Sequence, residues 1–260
     1  MSENEVVRTE WPEGPAQGRR EGAADALVLC EHASNAFPQR FGTLGLGDAA
    51  RQSHAAWDPG ALELARALAD HLHAPLVAAG VSRLLYDCNR PPEAPGAMPA
   101  QSEVFEIPGN RDLDARARAA RVREIYQPFL DEVARTQRAT RPRALVTMHT
   151  FTPVYNGARR AVEIGVLHDA DSRLADAMLA RAASDPAFDT RRNQPYGPED
   201  GVTHSLKIHG VERGIANVMI EVRNDLVATD AGLERVSAWL NPLVAGALAD
   251  VLAGQDGAAS

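Results

Sequence analysis

Short, unbroken apolar runs punctuate the chain. Ala26-Leu27-Val28-Leu29-Cys30 shows no polar alternation, the pattern of a strand covered on both faces. Pro75 to Ala79, Arg83 to Tyr86, Arg143 to Met148, Val162 to Leu167 and Asn217 to Val222 read as further strands. Between them the apolar period lengthens to that of a helix. Leu62, Leu64, Ala65, Leu68 and Leu72 form a stripe behind Asp58-Pro59, where Asp is a favoured N-cap and Pro is tolerated in the first turn. Val122, Ile125, Tyr126, Phe129, Leu130 and Val133 predict one long helix over Asp112 to Arg138. Asp171 to Ala183, Val202 to Arg213 and a closing stretch from Asp230 to Leu252 are also expected to be helical. Pro91 to Asn110 and Asn193 to Gly201 are rich in Pro and Gly and read as loops. A loop as long as the first is often functional.

Strands alternating with helices predict an α/β fold, a largely parallel sheet between two helical layers. No repeat or mid-chain linker divides it. The expectation is one catalytic domain over residues 26–253, preceded by a polar, mobile arm (1–25) and followed by a loose tail (254–260). In such folds, sites gather outside the carboxyl ends of the strands.

Composition narrows the function. Apolar content of 45% and charged content of 24% are those of a soluble globular chain. A net charge of -8 with no Lys/Arg block argues against a nucleic-acid partner. An anionic ligand would then need a locally positive pocket, which singles out Arg83 and Arg90. Cys30 and Cys88 lie at expected strand ends, where a disulfide is geometrically allowed; two thiols in a chain this long point rather to a reducing compartment. No run of about 18 apolar residues predicts a membrane span, and residues 1–25 lack the apolar core of a signal peptide. The expected location is cytoplasmic, with no membrane partner.

The chemistry sits at strand ends. Ser82-Arg83-Leu84-Leu85-Tyr86-Asp87-Cys88-Asn89-Arg90 reads as a buried strand delivering two guanidinium forks, a carboxylate and an amide. Such forks suit a carboxylate or a developing oxyanion. His32 and His149 follow other apolar runs and are metal-ligand candidates, against helix-capping or structural roles. A catalytic zinc usually takes three protein ligands, so a carboxylate is required, Asp58 or Glu31. Glu221 ends Val218-Met219-Ile220 and is either a general base or the ion-pair partner of Arg223. His204, Lys207 and His209 line a pocket or form a solvated helix face. No nucleophile elbow, P-loop or dinucleotide fingerprint is present.

Glu31-His32-Ala33-Ser34, Trp57-Asp58-Pro59-Gly60, Ser82-Arg83 through Asp87-Cys88-Asn89-Arg90, Met148-His149-Thr150 and Ile220-Glu221-Val222-Arg223 occur in this order. Together they resemble the N-formylglutamate amidohydrolase (deformylase) family over roughly residues 26 to 250. That family is similar in fold to zinc carboxypeptidases, which implies a three-layer αβα architecture with a mixed sheet. The resemblance implies His32 and His149 as zinc ligands, with Asp58 as the third. Asn35, not Glu, stands where zinc carboxypeptidases carry the second residue of a His-x-x-Glu pair, hence the choice of Asp58. Glu221 would activate water, Arg83 would polarise the scissile carbonyl, and Asn89 with Arg90 would hold a substrate carboxylate. Arg223 and His209 complete the substrate-binding candidates.

The expectation is therefore a hydrolase with one Zn2+ per chain, other divalent metals being alternatives. It would cleave the amide of an N-acyl acidic amino acid such as N-formylglutamate, a small-molecule partner. The competing expectations are a related metallohydrolase for another acyl group or peptide-like amide, and a non-catalytic carboxylate-binding protein on the same scaffold.

Overall fold

The computed structural model describes residues 5–12 and 24–258. A seven-stranded sheet runs through its centre. The strands are β1 (Val7–Glu10), β2 (Ala26–Cys30), β3 (Leu76–Ala79), β4 (Ala144–Phe151), β5 (Ile164–Leu167), β6 (Thr190–Arg192) and β7 (Ala216–Arg223). Their order across the sheet is β1-β3-β2-β4-β7-β5-β6. β3, β2, β4 and β7 are parallel neighbours. β5 runs antiparallel to β7 and carries β6 parallel to itself, while β1 closes the other edge antiparallel to β3. The sheet is mixed and mostly parallel, as expected.

The continuous apolar runs follow from burial on both faces. Successive side chains of a strand point to opposite sides. Ala26, Val28, Cys30, Val146, Met148, Val218 and Ile220 belong to one core. Leu27, Leu29, Leu145 and Met219 belong to the other. The helices that cover the two faces include α1 (Ala61–Leu72), α2 (Ala115–Arg121), α3 (Gln127–Thr140), α4 (Arg173–Ser184), α5 (His204–His209) and α6 (Asp230–Ala258). α1, α4 and α6 pack together over the first core. Phe129 and Val133 of α3, Leu206 of α5 and the segment from Val81 to Cys88 cover the second. By length and composition α6 is apolar enough to cross a membrane, yet Val236, Leu240, Val244 and Ala247 are core residues of this domain.

Several elements differ from the sequence-based expectation. Ser82 to Arg90 is not a strand but a run of turns. Leu85 N–H bonds to Ser82 O at 3.0 Å and Arg90 N–H to Asp87 O at 3.0 Å. The Ser82 hydroxyl and Asp87 carboxylate capture the amides of Leu84 and Asn89 at 3.2 and 2.9 Å. Short polar side chains that bond nearby amides favour turns over ladders. The single helix expected over Asp112 to Arg138 is divided: α2 and α3 are joined by a π-turn over Val122–Tyr126. Pro128 lacks the amide that would continue the α-helical ladder there.

Within the expected N-terminal arm, Val7–Glu10 pairs with β3; residues 1–4 and 13–23 lie outside the described residues. α6 continues through the expected loose tail as far as Ala258, and 259–260 lie outside the described residues. Cys30 and Cys88 are both free and buried, in different cores on opposite faces, so no disulfide joins them.

Candidate active site and metal centre

Parallel strands bring their carboxyl ends to one edge of the sheet. β4 and β7 pair in register with His149 beside Glu221. Both share the parity of Leu145 and Met219 and so lie on the second face. β2 ends just before Glu31 and His32 at the same edge. The chain returns there through Asp58, whose amide donates to His32 O at 3.0 Å. Asp58 does not cap the following helix. Gly60 occupies the N-cap position with φ 84°, and α1 begins at Ala61. A Cβ on Gly60 would lie 2.6 Å from Val227 Cγ2, so both conformation and space require glycine. This turn releases the Asp58 carboxylate to point at the two histidines.

The three side chains converge. His32 Nδ1 and His149 Nδ1 each lie 3.0 Å from Asp58 Oδ2, and 3.1 Å from one another. All three residues are buried. Each imidazole is oriented through its other nitrogen: His32 Nε2 meets Asp87 Oδ1 at 2.7 Å, and His149 Nε2 meets Glu31 Oε2 at 3.1 Å. A carboxylate that accepts a hydrogen bond from Nε2–H leaves the Nδ1 lone pair facing inward. Two such nitrogens and one carboxylate oxygen form a donor set that fits a catalytic zinc with an open position. Glu31 stands behind His149, and Asp58 is the carboxylate within reach of both Nδ1 atoms.

Arg83 bridges this arrangement from outside. Its guanidinium donates to Asp58 Oδ1 at 3.2 Å and to Asp87 Oδ2 at 2.9 Å. Arg121 of α2 donates to Leu85 O at 3.0 Å and Asn110 to Leu84 O at 2.8 Å, which hold the turn carrying Arg83 and Asp87.

Burial would raise Asp58 and Asp87, but His32 above all, with Arg83, holds both carboxyls far below the usual range. Burial also opposes charge on His149, yet Glu31 and Asp58 raise its affinity for a proton well above the ordinary value. Glu221 behaves differently. Burial pushes its carboxyl up, with Asp58 adding and His149 countering, to about 7.

These groups line one cavity of about 530 Å³. Arg90 lines it too, its Nη1 donating to Asp200 O at 2.7 Å. Asn89 also reaches the cavity, but its amide is engaged: Nδ2 donates to Val202 O, and Oδ1 accepts the Ser205 amide at 2.9 Å. It ties the turn to α5 rather than presenting free donors. Two expected substrate residues are elsewhere. Arg223 is off the cavity lining; its Nε donates to Asp225 Oδ1 at 2.7 Å and its Nη1 to Ala161 O at 3.1 Å. His209 is buried in α5 and also absent from the lining. Arg160 and Tyr196, not singled out from the sequence, do line the cavity. Arg160 follows a small hairpin, Val154–Tyr155 paired with Ala158–Arg159, and Tyr196 lies in the Pro/Gly loop after β6. A basic residue just beyond a strand and hairpin is the only sequence signal for the former.

An αβα fold with a buried cluster of two histidines and an aspartate at the carboxyl edge of its sheet defines a candidate metal-binding α/β protein. Comparison with known proteins narrows this. Residues 24–228 match the N-formylglutamate amidohydrolase family, and the chain belongs to that family. It is therefore an amidohydrolase-family protein. A gene product of Agrobacterium tumefaciens of known structure is 49% identical, with a TM-score of 0.88, over 96% of this chain and 97% of that one. An N-formylglutamate amidohydrolase from Ralstonia eutropha superposes with a TM-score of 0.69 at 17% identity, over 97% of this chain and 99% of that one, and shares the fold. Among curated protein sequences, none matches the chain.

Proposed function

We propose that this protein is a zinc-dependent amidohydrolase that cleaves the N-acyl amide of an acidic amino acid, N-formylglutamate being the leading substrate. The observation that carries this reading is the convergence of His32, Asp58 and His149 beside Glu221 and Arg83 in a cavity that also contains Arg90. Held by those three ligands, a divalent ion supplies Lewis acidity, which polarises an acyl oxygen and acidifies water. Glu221 takes the proton from the attacking water and returns it to the leaving amine nitrogen. A carboxyl at about 7 is matched to both halves of that transfer, and a neighbouring cation lowers it from there. Arg83, already fixed by Asp58 and Asp87, presents its remaining donors to the oxyanion that develops on the acyl group. Arg90 receives a substrate carboxylate.

Asp87 and Glu31 keep the two imidazoles in the ligating tautomer and orientation. Ser102 and Glu103, from the Pro/Gly segment 91–110, line the same cavity. This favours a second reading of the acyl group, in which that segment admits acetyl or succinyl as well as formyl.

Elemental analysis coupled to an amide-hydrolysis assay tests the proposal. The expectation is about one zinc per chain, lost in a His32→Ala/His149→Ala variant. Formate release from N-formylglutamate should disappear with chelation and return with added zinc. A panel of formyl, acetyl and succinyl amino acids separates the two acyl readings. Protein that takes up no zinc when it is supplied, and hydrolyses none of the panel, would favour a carboxylate-binding protein instead.

A further inference from the structure

Three arginines line the cavity, and their surroundings differ. Arg83 is committed to Asp58 and Asp87. Arg90 donates to a backbone carbonyl and lies against Gly201, where a Cβ would come within 2.7 Å of its Nη1. Arg160 pairs with no carboxylate among the described residues. It is held instead by rings: its Cζ lies 4.6 Å from the centroid of Tyr155, 4.9 Å from Tyr196 and 5.5 Å from Phe151.

Stacking on aromatic faces fixes a guanidinium plane without neutralising it. Among the described residues, only two of the five N–H donors of Arg160 have acceptors: Nη1 donates to Thr152 O at 3.3 Å and Nη2 to Tyr196 Oη at 2.9 Å. Its backbone is anchored from below, because Arg223 Nη1 donates to Arg160 O at 3.3 Å and to Ala161 O at 3.1 Å. Tyr196 keeps its proton, since burial first and Glu221 second push the phenol up to about 12. Its hydroxyl accepts from Arg160 and still has a hydrogen to donate. A cation with free donors beside a neutral hydroxyl is a ready receptor for one carboxylate.

We propose that Arg160, with the Tyr196 hydroxyl, receives the side-chain carboxylate of the substrate and sets the preference for an acidic N-acyl amino acid. This rests on the amidohydrolase reading above and assigns the two carboxylates of such a substrate. Arg90 shares a turn with Asp87, the partner of His32, and takes the α-carboxylate next to the scissile amide. Arg160 follows the Val154–Tyr155/Ala158–Arg159 hairpin, an element separate from that turn, and takes the carboxylate farther along the side chain. Arg223 is thereby a positioning residue that acts through the Arg160 backbone.

The test compares N-formyl-L-glutamate with N-formyl-L-glutamine, which differ in that carboxylate alone, on zinc-reconstituted wild type, Arg160→Met, Arg160→Lys and Tyr196→Phe. Wild type should prefer the glutamate. Arg160→Met should raise KM for it about 10- to 100-fold, the usual loss for a charge-assisted contact, and bring the KM ratio of the two substrates close to one. Arg160→Lys should recover part of the ratio, and Tyr196→Phe should lose part of it. Zinc content and circular dichroism should match wild type. An unchanged ratio in Arg160→Met, or equal losses on both substrates, overturns the proposal while leaving the amidohydrolase reading intact. No turnover of either substrate by wild type overturns that reading and this assignment with it.

Discussion

At Glu221 the surroundings of one side chain set its chemistry. The carboxyl is buried beside His149 in the paired strand, and its Oε2 has no hydrogen-bond partner among the described residues. A buried carboxyl of this kind resists ionisation, whereas Asp58 nearby, fixed by His32, His149 and Arg83, is held ionised. The two acids therefore differ in protonation, which suits the ligand and proton-carrier roles proposed for them. Glu221→Gln should keep zinc content at the wild-type level and lower kcat by about 10²- to 10⁴-fold, the usual contribution of a positioned acid–base group. Steady-state kinetics with metal analysis checks this, and near-normal turnover would remove Glu221 from proton transfer.

His32, Asp58, Arg83, Arg90, His149 and Glu221 were legible as polar residues next to apolar runs. Arg160 and Tyr196 were not, because they stand on a hairpin and a loop without period. Arg223 and His209 misled because proximity to a strand end in sequence does not say whether a group faces the cavity. Arg223 meets Asp225 and backbone carbonyls, and the His209 ring is sealed within the core.

At the scale of elements, the turn at Asp58-Pro59-Gly60 does what an ordinary N-cap would not. It starts α1 two residues later than an Asp58 cap would, and leaves that carboxylate free for the cluster. Gly60→Ala places a β-carbon in the left-handed region and against Val227 Cγ2. The expected cost is about 1–3 kcal/mol of folding stability, read from denaturant unfolding. Val227→Ala in the same chain should return the steric part only. Unchanged stability in Gly60→Ala would show that the turn relaxes freely.

The segment Ser82 to Arg90 carries the opposite lesson. Its apolar content predicted burial, and Leu84, Leu85 and Tyr86 are indeed buried. Its polar residues dictated a different backbone. Ser82 and Asp87 bond local amides and coil the chain into turns, which bring Arg83 and Asp87 together onto the cluster.

The molecule as a whole encloses a layer of buried polar groups beneath the site, and His209 belongs to it, at 3% accessibility. Burial pulls its imidazole down to about 4, with Arg213 and His204 adding to the effect and Glu31 opposing it. The unfolded chain has the ordinary histidine value, about 6.5, so between those two values it binds more protons than the folded protein. The contribution is present in full above pH about 6.5 and is lost as pH falls through about 4. The slope approaches about 1.4 kcal/mol per pH unit. Stability curves measured from pH 7 to 4 should be shallower for His209→Gln than for wild type by about one proton. Parallel curves would mean that His209 takes up its proton as readily in the folded protein as in the unfolded chain.

Read from the sequence alone were the α/β class, most of the strands and helices, and the family. The class and the elements depend on period, which records which faces are buried, whereas the family was carried by the order of the polar motifs. Also legible was the set of polar residues that form the candidate metal site. Tertiary structure alone decided that Asp58 rather than Glu31 meets the two imidazoles, because the Gly60 turn and the strand register fix where each carboxylate points. It alone placed Arg160 in the cavity and Arg223 behind it. The cause is physical: one-dimensional pattern encodes burial, whereas a site depends on directions of side chains brought together by strands distant in sequence.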